Sequence, residues 1–578
     1  MHRQSIMVNR VGKKATQKPN GSFRRFGTVL SLLISIVLWP IITLASPWRF
    51  GVIADTQWTV ADDGYGPHSV PAGIIQQIDQ EFIHQGVKLV VAVGDTINRS
   101  SKASIDTRAL YAQDLYNAGI GFYPLRGNHD AGWIGSATEM PSVFPQMRNG
   151  VNNSTPADIP RSLGHDTHVD PAARLGSTFI VGYNFNSPDL SYNGFSKAGL
   201  TYSFDFENAR FVLLDQWDDS GDTNNSTIAD QQPWLTARLS DPKRPQQAFV
   251  FGHKNLLGGN HKDNLFGNHT GDDPGDADPS QQPAQNAFVK SLADNHVHYY
   301  LCGHDHHHYD SVVTSPDGSA KVHQVIGQSA STKFYTPHRP VSTADVPISQ
   351  DLHKIGCYIY TIDGPRVTVD YYGVPVQVTA YEEIVASPEL TGHWQKLLTF
   401  GYSLNGKEFL VAEGKSYTQV KDRSPKMAGF AGTSIQILGG TNGSRGNTDY
   451  GKPLTKAVNT GWTSRAEAGG HLNSDVLTLW GMTDVGANRA DTYVLSMSFD
   501  PSGIPTDLIG KGKIGLVTKT AKGKWICAVD ANVGGTKRFV AGPWDCRYAL
   551  GTYGINSATN RAWAVLNHAG DFAVTAER

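Results

Sequence analysis

A repeated pattern between residues 47 and 310 constrains the fold of this chain more than any other feature: short apolar runs each end in a polar residue. The runs FGVIA, LVVAVG, YPLRG, AFVFG and YYLCG are strand-like, and an aspartate, asparagine or histidine follows each of them directly. Because ligand sites of open α/β sheets collect at the carboxyl ends of strands, these residues are predicted to meet at one sheet edge. The residues at or just beyond the strand ends are Asp55, Gln57, Asp95, Asn128, His129, Asp130, His253, His304, Asp305 and His306.

The stretches between the first runs have the spacing of amphipathic helices. After Pro71, isoleucines and a phenylalanine recur at helical intervals until Gly86, and a second periodic stretch ends at Gly119. The order strand, helix, strand, helix, strand predicts a layered α/β domain. Further strands are predicted in LTYSFDFENARFVLLD, KVHQVIGQ and GCYIYTIDGPRVTVDYYGV, and residues 131–199 are predicted to form a long insertion beside the site.

The character of the chain changes after about residue 388. Short strand-like segments such as DVLTLWGM, TYVLSMSFD and KIGLVTKT alternate with Gly- and Asn-rich turns, and no long helical pattern occurs. We therefore predict an α/β domain over residues 46–388 and an all-β domain, sandwich-like or barrel-like, over residues 389–578. Five tryptophans of the second domain are predicted to pack in its core rather than to form a ligand-binding face: Trp462, Trp480, Trp525, Trp544 and Trp563.

Residues 1–45 form a leader with a distinct composition. They contain seven Lys and Arg residues, no acidic residue, and an apolar run from Gly27 to Ala45 that is followed by Ser46. This order predicts a secretory signal that is cleaved before Ser46, and therefore an exported protein, periplasmic or extracellular. The apolar run is also about long enough to stay in a bilayer, so membrane association through an uncleaved leader is the alternative.

Charge and cysteine usage narrow the class of protein. The whole chain has 50 basic and 52 acidic residues, and removing the seven basic residues of the leader leaves 43 basic residues and a net charge of −9. A mildly acidic protein without a long basic run gives no basis for binding nucleic-acid duplexes.

The four cysteines lack CxxC spacing, so a thiolate zinc site is unsupported. Cys527 and Cys546 are predicted to close a hairpin as a disulfide, whereas Cys302 and Cys357 are predicted to be free and buried.

The strand-end residues offer only nitrogen and oxygen donors. Such a set suits Mn, Fe or Zn and does not select soft metals. The donors outnumber the ligands that one tetrahedral ion needs, whereas two ions that share a carboxylate would use them all. Two such ions can clamp the attacking and leaving oxygens of a displacement at phosphorus.

The ordered set ADTQ, GDTIN, GNHD, GH and GHDH resembles the calcineurin-like metallophosphoesterases, over about residues 47 to 375. The resemblance implies an α/β/β/α sandwich with a site for two divalent or trivalent ions, and hydrolysis by a hydroxide held between them. By matching position, the first ion would be held by Asp55, Gln57, Asp95 and His306. The second would be held by Asp95, Asn128, His253 and His304, with Asp95 bridging.

The same resemblance assigns His129 as a catalytic histidine that is not a metal ligand and Asp130 as the residue that orients it. Gln57 departs from the family pattern, because many members have histidine there. An amide oxygen is a weaker donor than imidazole, so the first ion is expected to bind less tightly, and a site for a single ion stays open. Glutamine at this position also resembles the subgroup of manganese-dependent ADP-ribose and nucleotide pyrophosphatases.

Several neighbouring residues are given secondary roles. His261 and Lys333 are predicted to reach the rim of the site and to contact substrate. Asp305 is predicted to shape its turn or to accept a hydrogen bond behind the ligands, and His307 and His308 to face solvent or the surroundings of the ligands.

These observations predict an exported, metal-dependent hydrolase of phosphate mono- or diesters, with a small-molecule phosphate ester or a nucleotide as substrate. One alternative is a nucleotide pyrophosphatase or cyclic-phosphate hydrolase of the same fold. Another is a non-catalytic surface or periplasmic binding protein that uses the fold as a scaffold. The C-terminal domain could dock substrate, anchor the enzyme at a surface or cover the site, and its residues favour none of these three roles.

Overall fold

The computed structural model describes most of the chain from Ser46 onward. The described residues are 46–57, 70–144, 146–149, 151–152, 179–180, 182–192, 194–261, 263–268, 280–337, 344–375, 378–380, 383–384, 394–411, 416–420, 433–439, 451, 454–469, 471–482, 491–509 and 511–576. The predicted leader and residues 153–178 of the predicted insertion lie outside them. Among the described residues, no helix has the length and apolar character needed to cross a membrane.

The first domain is built on two sheets. Its principal strands are β1 (Trp48–Ile53), β2 (Leu89–Ala92), β3 (Gly121–Pro124), β4 (Tyr183–Asn186), β5 (Tyr202–Phe206), β6 (Ala209–Leu213), β7 (Gln247–Phe251), β8 (Tyr299–Cys302), β9 (His308–Thr314), β10 (Lys321–Ile326), β11 (Asp345–Asp351), β12 (Lys354–Asp363), β13 (Arg366–Pro375) and β14 (Gln395–Ser403). One sheet has the order β14-β13-β12-β1-β2-β3, and the other has the order β11-β9-β10-β8-β7-β6-β5-β4.

The strands that end at the site run parallel to their neighbours. In the first sheet β1, β2 and β3 are parallel, and in the second sheet β6, β7, β8 and β10 are parallel. Parallel strands need crossover connections, and helices provide several of them. The helices are α1 (Ala72–Gln85), α2 (Lys102–Leu110), α3 (Gln113–Asn117), α4 (Asn128–Ala131), α5 (Ser136–Val143), α6 (Gln146–Asn149), α7 (Ile228–Ser240) and α8 (Gln282–Asp294).

The two sheets pack face to face through aromatic side chains. Phe50 of β1 stacks on Tyr360 at 4.7 Å between ring centroids and meets Phe211 and Phe249 of the second sheet edge-on at 5.0 and 4.9 Å. All four rings are buried in the main core, which residues of both sheets share. With helices such as α1 and α8 packed on the outer faces, the domain is the predicted α/β/β/α sandwich.

The C-terminal region is the predicted all-β domain. Its strands are β15 (Glu408–Val411), β16 (Ser416–Val420), β17 (Thr433–Gly439), β18 (Lys456–Thr463), β19 (Val476–Trp480), β20 (Thr492–Ser498), β21 (Ile514–Lys519), β22 (Trp525–Cys527), β23 (Arg538–Ala541), β24 (Thr552–Asn556), β25 (Arg561–Leu566) and β26 (Gly570–Ala576). They form two six-stranded sheets, β15-β18-β19-β26-β21-β22 and β16-β17-β20-β25-β24-β23. A core of residues from both sheets, including Leu477 and Leu495, makes this a sandwich.

Smaller elements complete the described residues. Four short hairpins pair Val151–Asn152 with Phe179–Ile180, Ser191–Tyr192 with Phe195–Ser196, Asp263–Asn264 with Gly267–Asn268, and Val378–Ala380 with Glu383–Ile384. The C-terminal domain also has a short helix, α9 (Thr506–Ile509), and a 3₁₀ turn, Ala528–Ala531. Of its five tryptophans, Trp462, Trp480 and Trp563 are buried, as predicted for core residues, whereas Trp525 and Trp544 are half-buried.

The structure differs from the sequence prediction at three places. The helix predicted up to Gly119 is two helices, α2 and α3, broken at Tyr111 and Ala112. The first sheet continues past the predicted boundary at residue 388, because β14 pairs with β13. The predicted disulfide between Cys527 and Cys546 is wrong, because neither sulfur is bonded to another cysteine. The hairpin it required does not form, because β22 and β23 belong to opposite sheets of the sandwich. Cys302 and Cys357 are buried and free, as predicted.

Candidate metal centre

The predicted ligands meet where the two sheets end. Asp55, Asp95 and His306 bring one ligand atom each to within 4.8 Å of one another. A second group, Asp95, His253 and His304, meets the same criterion. Asp95 belongs to both groups, which is the arrangement expected of a carboxylate that bridges two ions.

The backbone at the strand ends is shaped for this convergence. Asp55, Asp95, His304 and His306 all adopt left-handed conformations, with φ between 48° and 75°. Such conformations cost free energy in residues other than glycine and concentrate at functional sites, where they aim side chains that a regular strand could not. Gly127 is required by close approach, because a Cβ there would lie 2.0 Å from Oδ1 of Asp95.

The three ligand histidines each use one ring nitrogen to bind the protein frame. His253 places Nδ1 3.0 Å from the carbonyl oxygen of Val93, and His306 places Nδ1 2.9 Å from the carbonyl oxygen of Lys333. His304 places Nε2 3.0 Å from Oδ1 of Asp263. Since these partners accept hydrogen bonds, the opposite nitrogen of each ring carries the lone pair that a metal needs whenever the ring is neutral.

The two predicted amide ligands each lie beside a histidine of one group. Oδ1 of Asn128 lies 3.0 Å from Nε2 of His253, so two acceptor atoms face each other unless a proton or a cation lies between them. Nε2 of Gln57 lies 2.9 Å from Nε2 of His306, while Oε1 of Gln57 is buried and has no hydrogen-bond partner among the described residues. An unsatisfied buried amide oxygen on a side chain that contacts His306 is a position that a cation would satisfy.

The pKa shifts of three residues in the cluster reflect the same crowding of acceptors. Burial and the charge of Asp95 together raise the pKa of Asp55 to about 7, although His253 partly offsets them. Although burial opposes ionisation, His253 and His129 hold the pKa of Asp95 well below its usual range. Burial disfavours charge on His253 as well, yet Asp95 raises the pKa of that imidazole to about 9. The cluster therefore attracts positive charge, and its nitrogen and oxygen donors fit the implied Mn, Fe or Zn ions.

His129 and the buried Lys333 lie together beside the metal-ligand groups. Nδ1 of His129 lies 2.6 Å from the carbonyl oxygen of Asn98, and its backbone N–H donates to Oδ1 of Asp95 at 2.8 Å. Nζ of Lys333 lies 3.5 Å from Nε2 of His129. The two predicted substrate-facing groups are thus adjacent to each other and to the bridging carboxylate.

The prediction that Asp130 orients His129 is wrong. One carboxylate oxygen of Asp130 accepts from the hydroxyl of Thr96 at 2.6 Å, and the other accepts from the backbone N–H groups of Thr96 and Gly127 at 3.1 and 2.8 Å. A carbonyl oxygen, that of Asn98, holds His129 instead. Asp130 therefore joins the loops that carry Asp95 and Asn128 and does not contact the imidazole that follows Asn128.

The remaining histidines of the motif divide between the rim and the interior. His261 stacks on His304 at 3.9 Å between centroids, and its Nδ1 lies 2.7 Å from Oδ1 of Asp305. The other oxygen of Asp305 accepts from the backbone N–H of Gly259 at 3.0 Å, so this carboxylate binds the loop that carries His261, which is not a predicted metal ligand. His307 and His308 are not exposed to solvent, since both are buried. His308 lies at the start of β9 and bonds the hydroxyls of Tyr358 and Ser349.

Three residues at the site were missed by sequence reasoning. Asp263 orients His304 and pairs with Lys254 at 2.5 Å, Asn98 orients His129 through its carbonyl, and the Tyr335 ring lies 4.6 Å from that of His306. None follows a strand of the parallel sets, so the strand-end pattern contains no signal for them. Asn98 is the last residue of the GDTIN motif, and Asp263 and Tyr335 lie two residues after His261 and Lys333, which is the only sequence cue they have.

Comparison with known proteins adds an independent finding. Residues 49–308 match the family model described as calcineurin-like phosphoesterase. A comparison with curated protein sequences gives no significant match. Among solved structures, the chain is similar to purple acid phosphatase PPD1 from yellow lupin (12% identity, 62% of this chain and 54% of that chain covered, TM-score 0.34). It is also similar to PhoD (12%, 62% and 70%, 0.33) and to a dimetal phosphatase from Danio rerio (16%, 56% and 96%, 0.30).

Proposed function

Since residues 49–308 belong to the calcineurin-like phosphoesterase family, we propose that this metal-dependent phosphoesterase is an exported enzyme that hydrolyses mono- or diesters of small molecules. Hydrolysis of phosphoester bonds follows from the family. Export, the periplasmic or extracellular location and the ester class are the proposed part. The leader composition supports export, and the two ligand groups that share Asp95 are the single observation that supports catalysis at this site.

The chain would hold the two ions with the ligands already described. Asp55, Gln57, Asp95 and His306 form one set, and Asp95, Asn128, His253 and His304 form the other. When bound, the ions would supply Lewis acidity and an activated water for attack at phosphorus. The hydrogen bonds from the three ligand histidines to Val93, Lys333 and Asp263 fix the ring orientations before any ion arrives.

His129 and Lys333 supply the groups that face the ester. With Nδ1–H donated to the carbonyl oxygen of Asn98, the imidazole turns Nε2 towards the rim. Nζ of Lys333 lies within 3.5 Å of that nitrogen, so the ammonium and the imidazole can contact the same phosphoryl group. Lys333 would neutralise phosphoryl charge, and His129 would donate a proton to the departing oxygen.

The test is hydrolysis of p-nitrophenyl phosphate and of its bis-ester by purified full-length chain loaded with Mn, Fe or Zn. We expect turnover that a chelator abolishes and that Asp95→Asn lowers by at least about 10³-fold. The matched control is Asp294→Asn, the same change at an exposed carboxylate, which should leave turnover unaltered. Equal activity in the wild type and Asp95→Asn would overturn the proposal.

A second candidate within the same chemistry is cleavage of nucleotide diphosphates or cyclic phosphates, which Gln57 favours. ADP-ribose and 2′,3′-cyclic nucleotides tested beside the simple esters decide between the two. A kcat/KM for the nucleotides about 100-fold above that for the simple esters would favour the second candidate. The proposed location is tested separately. The protein should be found outside the cytoplasm, and sequencing of its N-terminus should begin at Ser46.

A further inference from the structure

A second cluster of potential metal ligands lies away from the strand ends that form the catalytic centre. It consists of His298, which directly precedes β8, His323 on β10, and Glu408, the first residue of β15. One ligand atom from each of the three lies within 4.8 Å of the others. Two of the ligands come from the second sheet of the first domain and the third from the first strand of the C-terminal domain. None of them belongs to the catalytic set.

The contacts within this cluster centre on one carboxylate oxygen. Oε2 of Glu408 lies 2.5 Å from Nε2 of His323 and 3.4 Å from Nε2 of His298. Nε2 of His298 is buried and makes no hydrogen bond among the described residues. Two imidazole nitrogens and a carboxylate oxygen therefore point at a common position, and one of the nitrogens is unsatisfied.

The surroundings hold the two rings in place for ligation. Nδ1 of His323 lies 3.1 Å from Oδ1 of Asp310, so a buried carboxylate binds the ring nitrogen opposite the cluster. The ligand histidines of the catalytic centre have the same arrangement, with one nitrogen held by an acceptor and the other facing the shared position. His298 is stacked between Tyr402, at 4.1 Å, and His323, at 4.8 Å between centroids. Histidines that bind metal ions usually have their other ring nitrogen bound by a carboxylate or a carbonyl, as His323 has here.

The cluster opens on a cavity that leaves room for a further ligand. The cavity has a volume of about 540 Å³, and among the side chains that line it are Arg244, His298, Lys321, His323, Tyr402 and Glu408. Side chains of the three ligands are only 6% to 23% exposed, so an ion there would be largely shielded by protein while one side faces the cavity.

We propose that His298, His323 and Glu408 bind a divalent ion of the zinc class that joins the phosphoesterase domain to the C-terminal domain. Two imidazoles and one carboxylate, with a fourth position open, form a donor set that zinc accepts in tetrahedral geometry. Because the ligands come from both domains, binding would stabilise the junction between β10 and β15. The site does not depend on the proposed function, since it shares no residue with the catalytic centre.

The test compares zinc bound per chain after equilibrium dialysis of full-length wild type and His298→Ala against zinc alone. We expect His298→Ala to bind about one ion fewer, because two protein ligands remain where the site needs three. The pair of His323 and Glu408 stays in place in this variant. The matched control is His296→Asn, which changes an exposed histidine of the same cavity at a position with φ of 56° that asparagine tolerates. This control should bind as much zinc as the wild type.

Three further measurements keep the proposal falsifiable. Glu408→Gln is a second variant that nearly keeps the shape of the side chain, and it should lose the same ion. It replaces His298→Ala in the comparison if circular dichroism shows that His298→Ala folds poorly. Phosphoesterase turnover of both variants should match the wild type, which separates this site from the catalytic centre. Zinc should raise the unfolding temperature of the wild type more than that of either variant. Equal zinc content in the wild type and both folded variants would overturn the proposal and leave an ion pair of His323 and Glu408.

Discussion

Nζ of Lys333 lies 3.5 Å from Nε2 of His129, although the two residues are 204 positions apart in the chain. The contact places an ammonium group and an imidazole beside the carboxylate that both ligand groups share. It suggests that the two side chains act on one substrate group.

This proximity predicts coupled effects on catalysis. Removal of the imidazole in His129→Gln should lower kcat by roughly 10²- to 10³-fold with little change in metal content, because His129 is not a ligand. Lys333→Met should mainly raise KM, since it removes positive charge that binds the phosphoryl group. If both contact the same group, the double variant will lose less than the product of the two effects. Lys290→Met, at an exposed lysine, is the control and should be silent.

Asp130 is predicted to support the loops and not the imidazole. Asp130→Asn places an amide N–H₂ where the carboxylate accepts from Thr96 and Gly127, and should cost about 1–3 kcal/mol of unfolding free energy. Urea unfolding measures this loss. The pH dependence of kcat should keep the shape of the wild-type profile. A shifted profile without loss of stability would show that Asp130 acts on His129 after all.

A buried ion-pair network behind the GNHD motif is predicted to contribute to stability. Both oxygens of Asp215 bind Arg126, at 2.6 and 2.9 Å, and Lys197 lies 2.7 Å away. Asp215→Asn leaves two buried cations poorly paired and should lower the free energy of unfolding by roughly 3–5 kcal/mol near neutral pH. Denaturant unfolding of the wild type and the variant measures the difference.

The same pair predicts a pH dependence with a definite sign. Burial opposes ionisation of Asp215, but Arg126 and Lys197 lower its pKa from the ordinary 3.8 to about 2. A carboxyl whose pKa falls on folding stabilises the folded state above its unfolded pKa. The difference between wild type and Asp215→Asn should therefore be constant above about pH 4 and shrink as pH falls towards 2. A difference that grows on acidification would contradict the role of these contacts.

Gln57 is predicted to set the affinity of the first ion. Its Oε1 is buried and lacks a hydrogen-bond partner among the described residues, which leaves that atom available as a ligand. Gln57→Ala should raise the dissociation constant of one ion about tenfold, equivalent to ~1.4 kcal/mol, and leave the other ion unaffected. Manganese titration followed by isothermal calorimetry distinguishes the two ions. Two unchanged affinities would show that Gln57 is not a ligand.

The sequence by itself determined which residues can bind metal, because donor type and position after a strand are local properties. It predicted Asp55, Asp95, His253, His304 and His306 as one cluster, since parallel strands end at one edge. It also predicted both fold classes, because the spacing of apolar residues differs between helices and strands.

Only the tertiary structure decided which atoms hold those ligands and which domains meet. Two partners of the ligand histidines are backbone carbonyls, which every residue has, and the third is Asp263, which is 41 positions from His304, so no local signal identifies them. The same holds for Asp130, whose neighbour in sequence is His129 but whose partners are Thr96 and Gly127. The cluster of His298, His323 and Glu408 also exists only after folding, because contacts between distant strands depend on how the sheets pack and not on spacing along the chain.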